Sequence, residues 1–141
     1  MDVSALSEEL LETLYRFYKI KPQKQITNAM HGEAFALHFI AAHADIAAPS
    51  DIESAMSISS ARIATILNGL ENKGLITRRI APSDRRRTLL ALTAAGEAQA
   101  AADTQQLLGL MTDIFDYLGE DDARAYVRIM GRLADRYSGD T

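Results

Sequence analysis

The chain of 141 residues, 15.4 kDa, is 48% hydrophobic and 24% charged. That is enough apolar material for one buried core and too little length for several, so a multi-domain machine and a generically disordered chain are both excluded. There is no Cys and no Trp, which removes disulfides, thiolate metal sites and cysteine redox sensing together, and the formal net charge of -4 speaks against a polyanionic partner until its distribution is considered.

From Val3 to Ile20 the pattern is helical, with Leu6, Leu10, Leu14 and Phe17 at steps of three and four. Adding Leu11, Tyr15 and Tyr18 widens the apolar arc beyond about 200°, whereas a helix lying on one core needs a stripe only somewhat wider than about 100°. The excess asks for a second chain. Lys21-Pro22-Gln23-Lys24 is expected to end this helix, and a shorter one to cover Glu33 to His43. Pro49 leads into Ser50-Asp51-Ile52-Glu53, a capping-box pattern that opens a short helix spent by Met56. Ser57-Ile58-Ser59 reads as a turn, and a longer helix runs to Lys73, closed by Gly74. Two helices joined so tightly form a helix-turn-helix candidate.

In the second of these helices Ile63, Ile66, Leu67 and Leu70 share one arc and should face the core. Ala61, Thr65 and Asn68 point the other way, with Ser60 and Arg62 near the N-terminal end. A plain surface helix usually carries longer charged residues there. A small, polar face can press into a groove and reach base edges. Leu75 to Ile80 and Thr88 to Leu92 then read as strands, joined by a loop from Ala81 to Arg87. Such a hairpin after a helix-turn-helix is a wing. Thr93 opens an Ala-rich helix that continues through Leu107, Met111, Ile114 and Leu118 until Gly119 breaks it. The last helix, Asp121 to Tyr137, sets Tyr126, Met130, Leu133 and Tyr137 on one face and arginines on the other.

Charge is concentrated. Between residues 59 and 87, Arg62, Lys73, Arg78, Arg79, Arg85, Arg86 and Arg87 stand against only Glu71 and Asp84, which makes that stretch +5 and the remainder -9. A polyanion would dock on the basic segment, although a solvated charged face accounts for the charge alone equally well. The apolar stretches fall far short of the roughly 18 residues of a membrane span. The start, Met1-Asp2-Val3-Ser4, carries an acid where a signal peptide would be basic, so a cytoplasmic location and no membrane partner are expected.

The segment from Pro49 to Gly96 resembles the MarR family of winged helix-turn-helix transcription regulators. Asn72-Lys73-Gly74-Leu75-Ile76-Thr77-Arg78 is similar to that family's recognition-helix exit, and Asp84-Arg85-Arg86-Arg87 with Leu92-Thr93-Ala94-Ala95-Gly96 is similar to its wing signature. The resemblance implies a mainly α chain with a small β-hairpin wing, in which residues 1–31 and 97–141 form dimerisation helices and residues 32–96 the DNA-binding lobe. It implies a homodimer that binds an inverted-repeat operator in double-stranded DNA as a ligand-released repressor. DNA contacts are expected from Ser59, Ser60, Ala61, Arg62, Thr65 and Asn68 in the major groove and from Ser83, Arg85, Arg86 and Arg87 on the wing, with Asp84 orienting the wing. Two positions depart from the family pattern. Ala81 stands where an acid often precedes the proline, and Gly69 lies within the recognition helix, so wing stiffness and local helix stability are expected to differ.

Other chemistry finds less support. His31, His38 and His43 with Glu33 lack metal-ligand spacing, since His38 and His43 are five apart rather than one helical turn. No cofactor is expected. No Ser, His and Asp set sits in a nucleophile-elbow context and no Gly-rich phosphate loop follows a strand, so an enzyme is not expected. Tyr15, Tyr18, Phe35 and Met111 are candidates for the pocket in which the family holds a small aromatic effector, although as apolar residues at helical spacing they suit a core better. A winged-helix module that binds protein and has lost DNA recognition is the rival reading. It should expose large apolar anchors instead of an Arg-rich wing.

Overall fold

Asp2 opens the first helix of the computed structural model, which describes residues 1–44 and 46–139. Its carboxylate accepts the Ala5 N–H at 3.1 Å, a standard N-cap for α1 (Val3–Phe17). The next segment departs from expectation. Lys21-Pro22-Gln23-Lys24 does not merely stop α1; it begins α2 (Lys21–Ala29). Proline in a first helical turn has no backbone partner to lose and a torsion already suited to the helix, so here it is a start signal. α3 (Gly32–Ala42) follows and buries Ala36, Leu37 and Ile40.

α4 (Pro49–Met56) begins two residues earlier than the Ser50 motif suggests. Ala48 takes the capping position, and the Asp51 carboxylate reaches back to accept its N–H at 3.0 Å. Glu53, expected to close a capping box with Ser50, instead accepts the Ser60 hydroxyl at 2.8 Å and ties α4 to the next helix. The turn between them places Ser57 at φ +53°, a left-handed conformation that costs a residue with a Cβ roughly 1–2 kcal/mol. Ser57→Gly should therefore raise the stability of the protein by about 0.5 to 1 kcal/mol after the extra chain entropy of glycine is offset. Urea denaturation of the two forms checks this.

α5 (Ser60–Asn72) is capped by the Ser59 hydroxyl, which accepts the Arg62 N–H at 3.2 Å. It ends in a Schellman motif: Leu75 N–H donates to the Leu70 carbonyl at 3.0 Å and Gly74 N–H to the Glu71 carbonyl at 2.9 Å, with Gly74 at φ +72°. Ile63, Ile66, Leu67 and Leu70 are buried, as their spacing requires, and with Leu37, Ile40, Ile52, Ile76 and Leu90 they make the core.

The hairpin is longer and tighter than expected. β1 (Ile76–Ala81) and β2 (Asp84–Leu92) pair antiparallel from Ile76 with Leu92 to Ile80 with Thr88, and then Ala81 with Asp84. The loop shrinks to Pro82 and Ser83, and Arg85, Arg86 and Arg87 belong to β2, where the irregular register accommodates them as a bulged run. Leu90 N–H donates to the Ala47 carbonyl at 2.8 Å, which fastens the strand to the start of α4. The departure at Ala81 has a local reason: its methyl is buried, and a carboxylate there would lose its hydration.

α6 (Ala94–Leu118) begins in a close junction with the end of α5. Thr93 Oγ1 donates to the Gly74 carbonyl at 2.6 Å and accepts the Gly96 N–H at 3.0 Å, while Thr93 N–H donates to the Leu75 carbonyl. Gly96 is buried against that same carbonyl. The chain forms two compact units, residues 1–105 and 106–141, the last two of which lie outside the described residues. The second unit holds the later turns of α6, Gly119 at φ +82° and α7 (Glu120–Tyr137). Glu120, Asp121 and Asp122 sit in the first turn of α7, where carboxylates favour the helix dipole. No residue of α1 or α7 is buried.

Candidate nucleic-acid interface

The outward side of α5 is small and polar, as its sequence suggests: Ala61, Arg62, Thr65 and Asn68 are exposed. Each polar group has a defined state. The Thr65 hydroxyl donates to the Ala61 carbonyl at 3.1 Å, so outward it offers a lone pair and a methyl group. Ser60 is committed to Glu53 and Ser59 to the helix start. Asn68 Oδ1 accepts from Arg78 of β1 at 2.8 Å, and the Arg78 Nε lies 3.3 Å from Glu71 Oε2.

At the wing, Asp84 Oδ1 accepts the backbone N–H of Arg86 at 2.9 Å. The orienting carboxylate thus acts mainly on the main chain, since the Arg86 guanidinium is 3.9 Å away. That guanidinium leaves the surface, with its side chain 97% exposed. Arg85 and Ser83 are exposed too. Arg87 turns inward instead. It lies 3.4 Å from Asp51 Oδ2 and donates to the Ile46 carbonyl, bracing β2 against α4. The structure therefore brings the α5 face and the wing tip into one lobe, with Arg87 as the brace between wing and helix-turn-helix.

Two contributors were not legible in the sequence. Arg78 counts there only as one more cation, yet it spans Asn68 and Glu71; the three-residue spacing of those two on one helix face was the available signal. Glu33 lies over Gly69: a Cβ there would stand 2.5 Å from Glu33 Oε1, while Oε2 of the same carboxylate pairs with Lys73. Gly69 makes room for that carboxylate.

The remaining candidates fall on several elements. Tyr15 and Tyr18 share a shallow depression of about 390 Å³ on α1 with Leu11, Leu14 and Lys19. Phe35 lies on α3, its ring 6.4 Å from that of Phe39, and Met111 belongs to the second unit. A cavity of about 580 Å³ lies elsewhere, between His38 and Ala41 of α3, Leu92 of β2 and Ala100 and Thr104 of α6. His43 caps α3, its ring stacked 4.1 Å from Phe39, and His31 precedes the same helix. Among the described residues no three His, Asp or Glu side chains gather as metal ligands, and no helix is long and apolar enough to cross a membrane.

Helix-turn-helix, exposed polar recognition helix and Arg-bearing hairpin together define a winged helix-turn-helix protein. Residues 25–87 match the family model described as MarR family. An uncharacterized HTH-type transcriptional regulator of Bacillus subtilis, YdgJ, is 29% identical over 91 residues, 64% of this chain; the aligned stretch spans only 56% of that relative. Among solved structures, FabT of Streptococcus pneumoniae in complex with DNA superposes with a TM-score of 0.73 at 20% identity, covering 99% of this chain and all of that one. The transcriptional repressor CouR, bound to a 23-mer duplex, gives a TM-score of 0.67 at 22% identity over 95% and 98% of the two chains. The likeness to the MarR family is thus one of sequence over residues 25–87 and one of fold along the rest of the chain.

Proposed function

We propose that the chain is a dimeric, sequence-specific DNA-binding transcription regulator, a repressor released by a small-molecule ligand. The observation that carries this is the pairing, within one lobe, of a small polar recognition face with a guanidinium held out from the wing and almost wholly in solvent. Small side chains let α5 enter a major groove, and an almost wholly exposed arginine on an adjacent hairpin suits minor-groove potential and phosphates. FabT and CouR, which share the fold, are bound to DNA in their structures. Release by a ligand draws on the 580 Å³ cavity, which lies in the range of small-molecule sites; its lining includes His38, Leu92 and Thr104 and none of Tyr15, Tyr18, Phe35 and Met111. The wing itself exposes Ile80 but no cluster of large apolar anchors, which disfavours the protein-binding reading.

The test is a titration of variants against operator and scrambled duplex at three salt concentrations. Arg86→Ala should lower affinity for both duplexes and make the salt dependence shallower by about one unit, because one counterion-displacing contact is lost. Thr65→Ala should weaken operator binding by roughly 1 to 3 kcal/mol and spare scrambled DNA. Asp84→Ala should give a milder form of the Arg86 defect, since it loosens the wing without removing a positive charge. Wild-type affinity and salt slope for Arg86→Ala on both duplexes would remove the wing from the interface and favour a protein partner.

A further inference from the structure

Arg78 reaches from β1 across the outward side of α5. One guanidinium nitrogen donates to Asn68 Oδ1 at 2.8 Å while Nε faces Glu71 Oε2 at 3.3 Å. The two ends of an asparagine amide are alike in size and opposite in chemistry, one accepting and one donating. A guanidinium donor fixed against one end requires that end to be the oxygen, because the flipped amide would set donor against donor. Asn68 is thereby held in one orientation, with Nδ2 as its uncommitted end. The charge of Arg78 is meanwhile offset by Glu71, and its side chain is only 31% exposed, in contrast to that of Arg86.

We propose that Arg78 is a positioning residue for base readout: it holds the Asn68 amide so that Nδ2 is presented to the groove as a donor, and it does not itself bind phosphate. This rests on the DNA-binding reading above. In the major groove guanine offers N7 and O6, adenine N7 and thymine O4 as acceptors, whereas cytosine offers only the N4 donor. The base edge read by Asn68 is therefore an acceptor, and cytosine is rejected there. Without Arg78 the amide rotates freely and can accept from cytosine as well as donate to the others.

The experiment begins by selecting bound duplexes from a random pool with the full wild-type chain. The selected duplex and its single-base-pair variants are then titrated at three salt concentrations with wild type, Arg78→Met, Asn68→Ala and the double variant. Wild type should discriminate at one base pair by about 5- to 150-fold, a preference lost in Asn68→Ala. Arg78→Met should reduce that same preference to within about threefold while leaving the other positions and the salt slope as in wild type. Adding Asn68→Ala to Arg78→Met should change that base pair no further, since both act on one contact. Arg78→Lys keeps the charge and replaces the planar fork by a single flexible ammonium, so it should lose the preference too. Uniform weakening on every sequence with a shallower salt slope would make Arg78 a phosphate ligand and overturn the proposal. Full wild-type discrimination in Arg78→Lys would overturn it as well, by showing that charge suffices. If wild type selects no sequence at all, the DNA-binding reading itself falls, and that result is visible before any variant is made.

Discussion

Gly96→Ala should cost more than about 3 kcal/mol of stability, the largest effect of any single methyl group added to this chain. A Cβ at Gly96 would lie 1.9 Å from the carbonyl oxygen of Leu75 and 2.9 Å from its carbonyl carbon. Both obstacles are backbone, and that backbone is pinned three times over. Leu75 N–H closes the Schellman motif of α5, the Leu75 carbonyl accepts Thr93 N–H, and Gly74 accepts the Thr93 hydroxyl. Relief of the clash means separating α6 from the end of α5 and giving up some of those bonds. Domains of this size are stable by only about 5 to 15 kcal/mol, so the winged lobe would be left near its unfolding midpoint at modest temperature. Gly69→Ala is the contrast. It is also a helical glycine with a near neighbour, yet the neighbour is the tip of the Glu33 side chain, which can swing away, and the gain in helix propensity offsets the lost pair with Lys73. Thermal and urea denaturation at fixed protomer concentration should separate the two variants clearly. Equal stability of Gly96→Ala and wild type would mean that the α5 to α6 junction is looser than its hydrogen bonds indicate.

That contrast also marks what could and could not be read from the sequence. The core face of α5 was legible because Ile63, Ile66, Leu67 and Leu70 repeat at the helical period, and a periodic stripe needs no knowledge of its partner. The left-handed C-cap at Gly74 was legible for the same local reason. Segments whose meaning depends on the backbone before them were not. Pro22 can end one helix or begin another, and only the course of Lys21 to Ala29 decides. Ser50 and Glu53 have capping-box spacing, but Asp51 lies equally three residues after Ala48, and the bond from Ser60 draws Glu53 away. The arginines at 85 to 87 look like loop residues by composition, yet β2 begins at Asp84. In the candidate interface the exposed face of α5 followed from its pattern. What each side chain is bound to did not: Arg87 with Asp51, Gly69 with Glu33 and Asn68 with Arg78 join residues 36, 36 and 10 positions apart.

Leu10→Lys combined with Leu14→Lys should convert the proposed dimer to monomer and reduce operator affinity by at least about a hundredfold. α1 is a 15-residue helix with no buried residue, and it exposes Leu6, Leu10, Leu11 and Tyr15, with Tyr18 exposed at its C-cap. α7 exposes Tyr126, Val127, Met130, Leu133 and Tyr137 in the same way. Helices of this length draw most of their stability from packing an apolar face, so two such faces without cover call for a partner. A second copy supplies both at once, because an isologous two-fold contact lets the same patches serve on each side, and obligate interfaces commonly exceed about 2,000 Å². Two recognition helices related by that two-fold axis would meet half-sites about 10 base pairs apart on one face of the duplex. The lysines are placed where nothing of the winged lobe's core lies, so the cooperative unfolding of that lobe should persist while sedimentation shows a single protomer. Each protomer would still bind one half-site, and the affinity lost is that of linkage between two. Wild type sedimenting as a monomer at micromolar concentration would end the dimer and its inverted-repeat operator together. A double-lysine variant that stays dimeric would instead place the subunit contact away from α1.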